Sequence, residues 1–129
     1  MRHQRFEIRV DTAFDEVIRH CSEVASNRPE TWINTRIMKL YSQLHKMGCA
    51  HSVESWRAGK LVGGLYGVRI GGAFFGESMF SRETDASKVA LVHLVARLKH
   101  GGLMLLAANF LHNHRKHIGR TTRDKLSYS

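Results

Sequence analysis

Residues Gly63–Lys88, GGLYGVRIGGAFFGESMFSRETDASK, decide how this chain folds. Two apolar runs meet at the pair Gly71-Gly72, which is typical of a turn between two antiparallel strands. A backbone that needs glycine this often turns sharply or lets another group approach closely. Asp85 and Ser87 then carry the side chains that commonly cap the start of a helix. The segment therefore predicts a hairpin followed directly by a helix.

One carboxylate, Glu77, stands between a glycine and a serine at the end of this hairpin. It could accept a hydrogen bond from a backbone amide at the corner between strand and helix. It could instead serve a site that binds a cationic group. The apolar neighbours would increase the value of a charge placed among them; they are Phe74, Phe75, Met79 and Phe80. The residues alone leave both roles open.

Periodic patterns in the rest of the chain predict its other elements. Apolar or alternating runs predict strands at residues 6–10, 50–56, 61–70, 73–75 and 103–106. Apolar residues spaced three and four apart predict helices from 11 or 12 to about 21, from about 31 to 47, from 85 or 87 to 98, and from 109 to 118. Asp11 or Thr12 is expected to cap the first helix, Gly48 to end the second, and residues 26–29 to form a loop. This order predicts one α+β domain over residues 1–129, a sheet with helices packed on it.

The charge balance indicates a polyanionic partner. Twenty Lys and Arg residues against 11 Asp and Glu residues give a formal net charge of +9. Nucleic acid is the first candidate partner, and an anionic membrane surface is the second. Trp32, at a helix start beside a loop, is the better candidate for stacking on a base. Tyr41 has the helical spacing of a core residue, so packing is the default role for it.

Cysteine usage and the start of the chain predict a cytoplasmic protein. Cys21 and Cys49 lie far apart without CxxC spacing, which fits a reducing compartment better than a disulfide framework. The start, MRHQRFEIRV, is basic but lacks the apolar segment of a signal peptide.

The common motifs for metal, nucleotide and hydrolase chemistry are absent from the sequence. His112, His114 and His117 lie close together, but without HExxH or a cysteine pair they indicate a basic surface helix rather than a metal site. Neither GxxxxGK[ST] nor GxGxxG occurs, and no GxSxG elbow supports a serine hydrolase. The sequence therefore predicts neither a metal nor a free nucleotide cofactor.

An ordered set of blocks resembles the bacterial leucyl/phenylalanyl-tRNA–protein transferases. The blocks are Thr31–Ile33, Tyr41–His45, Ala50–Glu54, Gly63–Val68, Phe75–Arg82 and Ala86–Lys88. They occur in the right order and spacing from about residue 6 to residue 119. The resemblance implies a GNAT-like, acetyltransferase-like domain with a mixed, mainly antiparallel sheet and packed helices. It also implies that this chain lacks the smaller N-terminal domain of the family.

The resemblance further implies an activity and a set of site residues. Members take leucine or phenylalanine from its tRNA and join it to the N-terminal Lys or Arg of a protein. The product is marked for degradation by the N-end rule, and no metal or free cofactor is needed. Matched by position, Trp32 and Tyr41 lie near the terminal adenosine of the donor tRNA. Leu65 and Phe74 line the apolar pocket for the transferred side chain, and Glu77 belongs to the acceptor and aminoacyl site.

This sequence departs from the family at one motif. Ala107, Ala108 and Asn109 stand where the family has Asp-x-Gln, proposed to help the attacking amine lose its proton. Alanine cannot act as a base or its orienter, so Asn109 is the catalytic candidate left here besides Glu77. A general base typically supplies a factor of about 10²–10⁴.

The altered motif keeps a second function class open. The alternative is a non-catalytic module that binds tRNA ends or basic N-termini. An acetyl-CoA-dependent acyltransferase is disfavoured because the sequence has no [RQ]xxGx[GA] loop between a strand and a helix.

Overall fold

The computed structural model describes residues 6–24, 31–107 and 110, without the side chains of residues 24 and 31–34. Its strands are β1 (Glu7–Val10), β2 (Ala50–Arg57), β3 (Lys60–Ile70), β4 (Ala73–Ser81) and β5 (Met104–Leu106). Its helices are α1 (Phe14–Val24), α2 (Thr31–Lys46) and α3 (Ala86–Gly101). The strands form one sheet in the order β1-β2-β3-β4-β5, antiparallel except for the parallel pair β4 and β5. The predicted α+β class with a mixed, mainly antiparallel sheet is confirmed.

The sheet carries a helical layer on each face. On one face α3 covers a core that includes Val53, Leu65, Phe74, Met79, Leu94 and Phe110. On the other face α1 and α2 cover a second core that includes Phe14, Val17, Ile18, Cys21, Tyr66 and Phe80. Alternate residues of the central strands thus supply two different cores, since neighbouring side chains of a strand point to opposite faces.

Both hairpin turns have glycine in them, and β4 is longer than predicted. Ala58 and Gly59 have φ values of 52° and 78° between β2 and β3, the positive pair that a two-residue hairpin turn favours. Gly71 and Gly72 join β3 to β4. The prediction that this strand stops at Phe75 is wrong, because β4 pairs with β3 as far as Ser81. Glycine and glutamate are poor strand formers, but packing on both faces overrides that propensity.

A buried carboxylate ties the start of α1 to β2. The Glu54 side chain is fully buried and accepts hydrogen bonds from the backbone N–H groups of Thr12 (3.1 Å) and Ala13 (3.0 Å). It also accepts from the hydroxyls of Thr12 and Ser52 and from the indole of Trp56. These contacts show that Ser52, Glu54 and Trp56 share one face of β2. Because the amides at a helix start lack partners within the helix, Glu54 satisfies donors that burial would otherwise leave unpaired.

Asp11 and Thr12 do not cap α1 as expected. The Asp11 carboxylate accepts from the backbone N–H of Ser52 (2.8 Å) and lies 2.9 Å from Nδ1 of His51. The Thr12 hydroxyl donates to Glu54. Both side chains therefore fasten the segment between β1 and α1 to β2, and the cap is supplied from the sheet.

The helices begin and end close to the predicted positions, but the group that caps α3 differs from the prediction. Gly48, at φ 83°, ends α2 as predicted, and the N–H of Cys49 donates to the carbonyl of Leu44. Asp85 occupies the cap position of α3, but its side chain makes no cap hydrogen bond. Instead, the Ser81 hydroxyl accepts from the backbone N–H of Ser87 (3.1 Å). The expected side-chain cap by Asp85 is therefore wrong, and the end of β4 supplies the acceptor.

Two predicted elements lie outside the described residues. They are the loop at 26–29 and the last helix at 109–118, of which only Phe110 is described. No helix within the described ranges has the length and apolar character needed to cross a bilayer.

We expect Gly63→Ala to destabilise the fold, because the start of α3 lies directly on this residue of β3. An added Cβ would lie 2.4 Å from Cβ of Ala86 and 3.0 Å from its carbonyl carbon, so backbone would have to move. Overpacking of this kind costs about 1–3 kcal/mol in the free energy of unfolding. Gly72→Ala is the matched control, since nothing lies within 4 Å of its added Cβ. Chemical denaturation of both variants measures the difference, and equal stabilities would contradict this close contact.

Candidate functional site

A β-bulge in β4 places two polar side chains on the same face of the sheet. Tyr66 of β3 pairs with Ser78, and the next residue, Gly67, pairs with Gly76. The register passes over Glu77, which is therefore the extra residue of a bulge. Because a bulge interrupts strict alternation, Glu77 and Ser78 both face the layer of α1 and α2. The Glu77 carboxylate thus lies inside β4, not at the strand-to-helix corner where the sequence placed it.

Glu77 is fixed by a tyrosine of α2. The side chain of Tyr41 makes a hydrogen bond with Glu77, and the Glu77 side chain is half-buried. Burial, followed by the charge and the hydrogen bond of Glu77, raises the pKa of Tyr41 to about 12. The phenol therefore stays protonated near neutral pH and donates to the carboxylate. This contact brings together two of the predicted site residues.

Tyr66 extends this contact into the sheet. Its ring lies 5.4 Å from the ring of Tyr41, with an angle of 70° between the planes, which is a favourable edge-on geometry. Burial raises the pKa of Tyr66 as well, with smaller contributions from Cys21, Tyr41 and Glu77. Two protonated phenols thus stand beside the carboxylate on the face covered by α1 and α2.

A small cavity of about 130 Å³ opens beside these residues. It is lined by Ile18, Cys21, Ser22, Ile37, Met38, Tyr66 and Ser78. Burial raises the pKa of the Cys21 thiol to about 12, although a hydrogen bond with Ser78 opposes the shift. A thiol with so high a pKa is a poor nucleophile, because the thiolate is the reactive form. Cys21 therefore acts as a wall of the cavity and not as a reactive group.

Leu65 and Phe74 lie on the opposite face of the sheet from Glu77. Leu65 is fully buried and Phe74 is 3% exposed, and both belong to the core beneath α3. The Phe74 ring lies over Gly67, where an added Cβ would come within 2.6 Å of a ring carbon. Phe110 covers Gly76 in the same way. Leu65 and Phe74 therefore lie on one face of the sheet, and the contact between Tyr41 and Glu77 lies on the other.

The remaining predicted site residues are only partly described. Ala107 is buried in the core beneath α3, so no ionisable group stands at that position. Asn109, the side chain of Trp32 and the histidines at 112, 114 and 117 lie outside the described part of the chain. Within that part, no three His, Cys, Asp or Glu side chains come together as a metal site would require.

Sequence reasoning missed the roles of Tyr66, Ser78 and Cys21. The signal for Tyr66 and Ser78 is the hairpin itself, because residues of paired strands that share a face can be counted outward from the turn. That count fails by one residue at the bulge, which the sequence does not mark. Cys21 comes from α1, and only the packing of α1 on the sheet brings it to Ser78.

Comparison with solved structures places the fold among the GNAT-type acetyltransferases. A predicted acetyltransferase from Clostridium acetobutylicum, solved with acetyl-CoA, matches with a TM-score of 0.66 at 12% identity, over 94% of this chain and 93% of that one. A GNAT family acetyltransferase from Brucella melitensis, solved with acetyl-CoA, matches with a TM-score of 0.58 at 14% identity, over 94% and 86% of the two chains. At this identity the likeness defines the fold alone.

Sequence comparison narrows this class to one family. The family model of leucyl/phenylalanyl-tRNA protein transferases matches residues 1–129. Relatives with the name leucyl/phenylalanyl-tRNA–protein transferase are 57% identical in Paramagnetospirillum magneticum, 58% in Rhizorhabdus wittichii and 59% in Caulobacter vibrioides. The matches cover 99%, 92% and 92% of this chain, and 61%, 48% and 55% of the respective relatives. The chain belongs to the leucyl/phenylalanyl-tRNA–protein transferase family and spans about half the length of these relatives.

We expect the fold to lose stability as the pH rises above 10. The folded state raises the pKa of Tyr41 to about 12 from an ordinary value of 10.0, and it also raises the pKa of Tyr66. A raised pKa means that the fold favours the neutral phenol. This contribution is therefore complete below pH 10 and is lost as the pH rises through the folded-state pKa. Denaturation across this range measures the loss, and Tyr41→Phe should make it smaller.

The same geometry predicts how Glu77 affects the titration. Glu77→Gln removes the charge beside the Tyr41 phenol, so the pKa of Tyr41 should fall while the part due to burial remains. Absorbance of the phenolate during an alkaline titration reports this pKa. Glu83→Gln is the control, because Glu83 pairs with Arg57. Identical titrations for the wild type and Glu77→Gln would contradict the contact.

Proposed function

We propose that this chain transfers leucine or phenylalanine from aminoacyl-tRNA to the N-terminal Lys or Arg of a protein. This transfer would mark the acceptor for degradation by the N-end rule in the cytoplasm. Family membership supports the donor and the reaction type, because the curated relatives have the name of such a transferase. The observation that carries the proposal is the Glu77 carboxylate, held on the β4 bulge beside Tyr41.

The proposed reaction needs an ester and an amine held in contact more than it needs a strong catalyst. The acceptor nitrogen attacks the ester carbonyl, an amide C–N bond forms, and the C–O bond to the ribose of the tRNA breaks. The proton lost by the amine is balanced by protonation of the released ribose oxygen. Because the ester is already activated, holding the two groups in place can supply most of the acceleration. The balance includes neither a metal nor a free cofactor.

Glu77 is proposed to bind the cationic end of the acceptor. An N-terminal Lys or Arg carries a charged side chain and an amine, and a carboxylate is their natural partner through charge-assisted hydrogen bonds. The phenol of Tyr41 donates to the same carboxylate and limits its rotation. Half-burial beside apolar side chains reduces the competition from water for this charge. These features support a role in acceptor recognition.

The resemblance assigns four residues to the aminoacyl-tRNA donor. Trp32 and Tyr41 are proposed to contact the terminal adenosine, where an aromatic face favours base stacking. Leu65 and Phe74 are proposed to line the pocket for the transferred side chain, as the resemblance implies. Both are buried in the apolar core beneath α3, so core side chains must move to open this pocket. Asn109 is proposed to orient the attacking amine. Ala107 cannot take a proton, so we propose that the amine loses its proton to solvent and that the enzyme is slow.

Transfer of radiolabelled phenylalanine from charged tRNA to a peptide that begins with Arg tests this function. We expect label on the Arg peptide and none on a matched peptide that begins with Ala. Glu77→Gln should reduce kcat/KM for the Arg peptide by roughly 10- to 100-fold, because a hydrogen bond to a charged group is lost. Its circular dichroism spectrum should match that of the wild type, because the fold is retained.

The controls separate the enzyme from the binding module. Glu83→Gln, which keeps the site intact, should transfer like the wild type. Binding of charged tRNA without transfer to either peptide would replace this proposal with a non-catalytic module. Unchanged use of the Arg peptide by Glu77→Gln would remove Glu77 from acceptor recognition.

A further inference from the structure

The outer face of α2 carries a line of exposed cations. Arg36, Lys39 and Lys46 are all exposed on this helix. At 100° per residue their positions fall within an arc of about 80°, and they span about 15 Å along the helix axis. We call these three residues the α2 stripe. Their alignment means that they can act on one extended partner at the same time.

The α2 stripe has no neutralising carboxylates on its own helix. The sequence contains no Asp or Glu between Glu30 and Glu54. Glu54 itself is fully buried and is occupied by the donors at the start of α1. Within the part of the chain that the structure describes, no ion pair involves a residue of the stripe. The positive charge of the stripe is therefore free to attract an anion.

The α2 stripe and the candidate site lie on opposite sides of the same helix. Tyr41, which contacts Glu77, belongs to the same helix and faces the sheet. A helix is about 10–12 Å across, so the stripe and the site are one helix diameter apart. On a regular helix, position 32 is also aligned with the stripe, four residues before Arg36. Tyr41 lies about 180° from position 32 on a regular helix, so a strand bound along the stripe would pass around α2 to reach the site.

We propose that the α2 stripe binds the phosphate backbone of the RNA donor and guides its end to Glu77 and Tyr41. This inference rests on the proposed function, since that function supplies an RNA donor. Cations in a line match the regular charges of a phosphodiester chain. A membrane surface fits less well, because an interfacial helix buries a continuous apolar face in lipid. In α2 the face that includes Met38, Tyr41 and Leu44 already packs on the sheet. Ile37, Leu40 and Met47 are exposed beside the stripe, but three side chains do not make a continuous apolar face.

Charge reversal of the α2 stripe tests this surface. The stripe variant carries Arg36→Glu, Lys39→Glu and Lys46→Glu, and all three side chains are exposed. Binding is measured by fluorescence anisotropy with an RNA hairpin that has a single-stranded 3′ tail, over a series of salt concentrations. The stripe variant should bind at least about tenfold more weakly, and the slope of log affinity against log salt should fall by about three.

The matched control changes the same number of charges elsewhere. The control variant carries Lys60→Glu, Arg97→Glu and Lys99→Glu; these exposed residues lie at the start of β3 and on α3. It should retain RNA affinity within about threefold of the wild type. If the stripe variant fails to fold by circular dichroism, the three Gln substitutions at the stripe positions replace it and should show a smaller loss in the same direction.

The outcomes separate this surface from the proposed function. Equal losses of RNA affinity in both variants would overturn the proposed surface, because net charge alone would then explain binding. Unchanged RNA affinity in both variants would overturn it as well. Loss of binding to anionic lipid vesicles, with RNA binding equal to that of the control, would also overturn it. A stripe-dependent RNA affinity in a wild-type chain that transfers no phenylalanine would support the surface and contradict the function. Transfer of phenylalanine by the wild type, with RNA binding that does not depend on the stripe, would support the function and contradict the surface.

Discussion

One extra residue in β4 determines how the two faces of the sheet differ. Since the register of β4 against β3 shifts at Glu77, Glu77 and Ser78 both turn towards α1 and α2, and Met79 returns to the core beneath α3. In a regular ladder continued from the turn, Ser78 would oppose Leu65 in that apolar core, where an unpaired hydroxyl is costly. The bulge thus separates the polar site from the apolar core.

Two further contacts hold the layers that meet at the bulge. On the α3 side, the paired residues Gly67 and Gly76 are covered by the rings of Phe74 and Phe110, and a side chain at either glycine would collide with a ring. On the other side, the Glu54 carboxylate binds the amides at the start of α1. The first contact fills the surface behind the bulge, and the second fixes the helical layer in front of it.

Local signals in the sequence predict much of this fold, but not the site geometry. The turn at Gly71-Gly72 and the helix end at Gly48 were predictable, because glycine itself supplies the required backbone freedom. The bulge was not predictable, because the register of β4 against β3 follows from packing on both faces of the sheet and not from the residues at 76 and 77. The role of Glu54 was also hidden, because one of its donors, Thr12, lies 42 residues away in sequence.

The central claim is that the bulge places Glu77 in direct contact with Tyr41. A double-mutant cycle with Tyr41→Phe, Glu77→Gln and the combined variant, measured by denaturation near neutral pH, tests this claim most directly. The account predicts a coupling of about 1 kcal/mol in the free energy of unfolding, since a hydrogen bond to a charge at a half-buried site would be shared by the two residues. Effects that add within about 0.3 kcal/mol would contradict the contact.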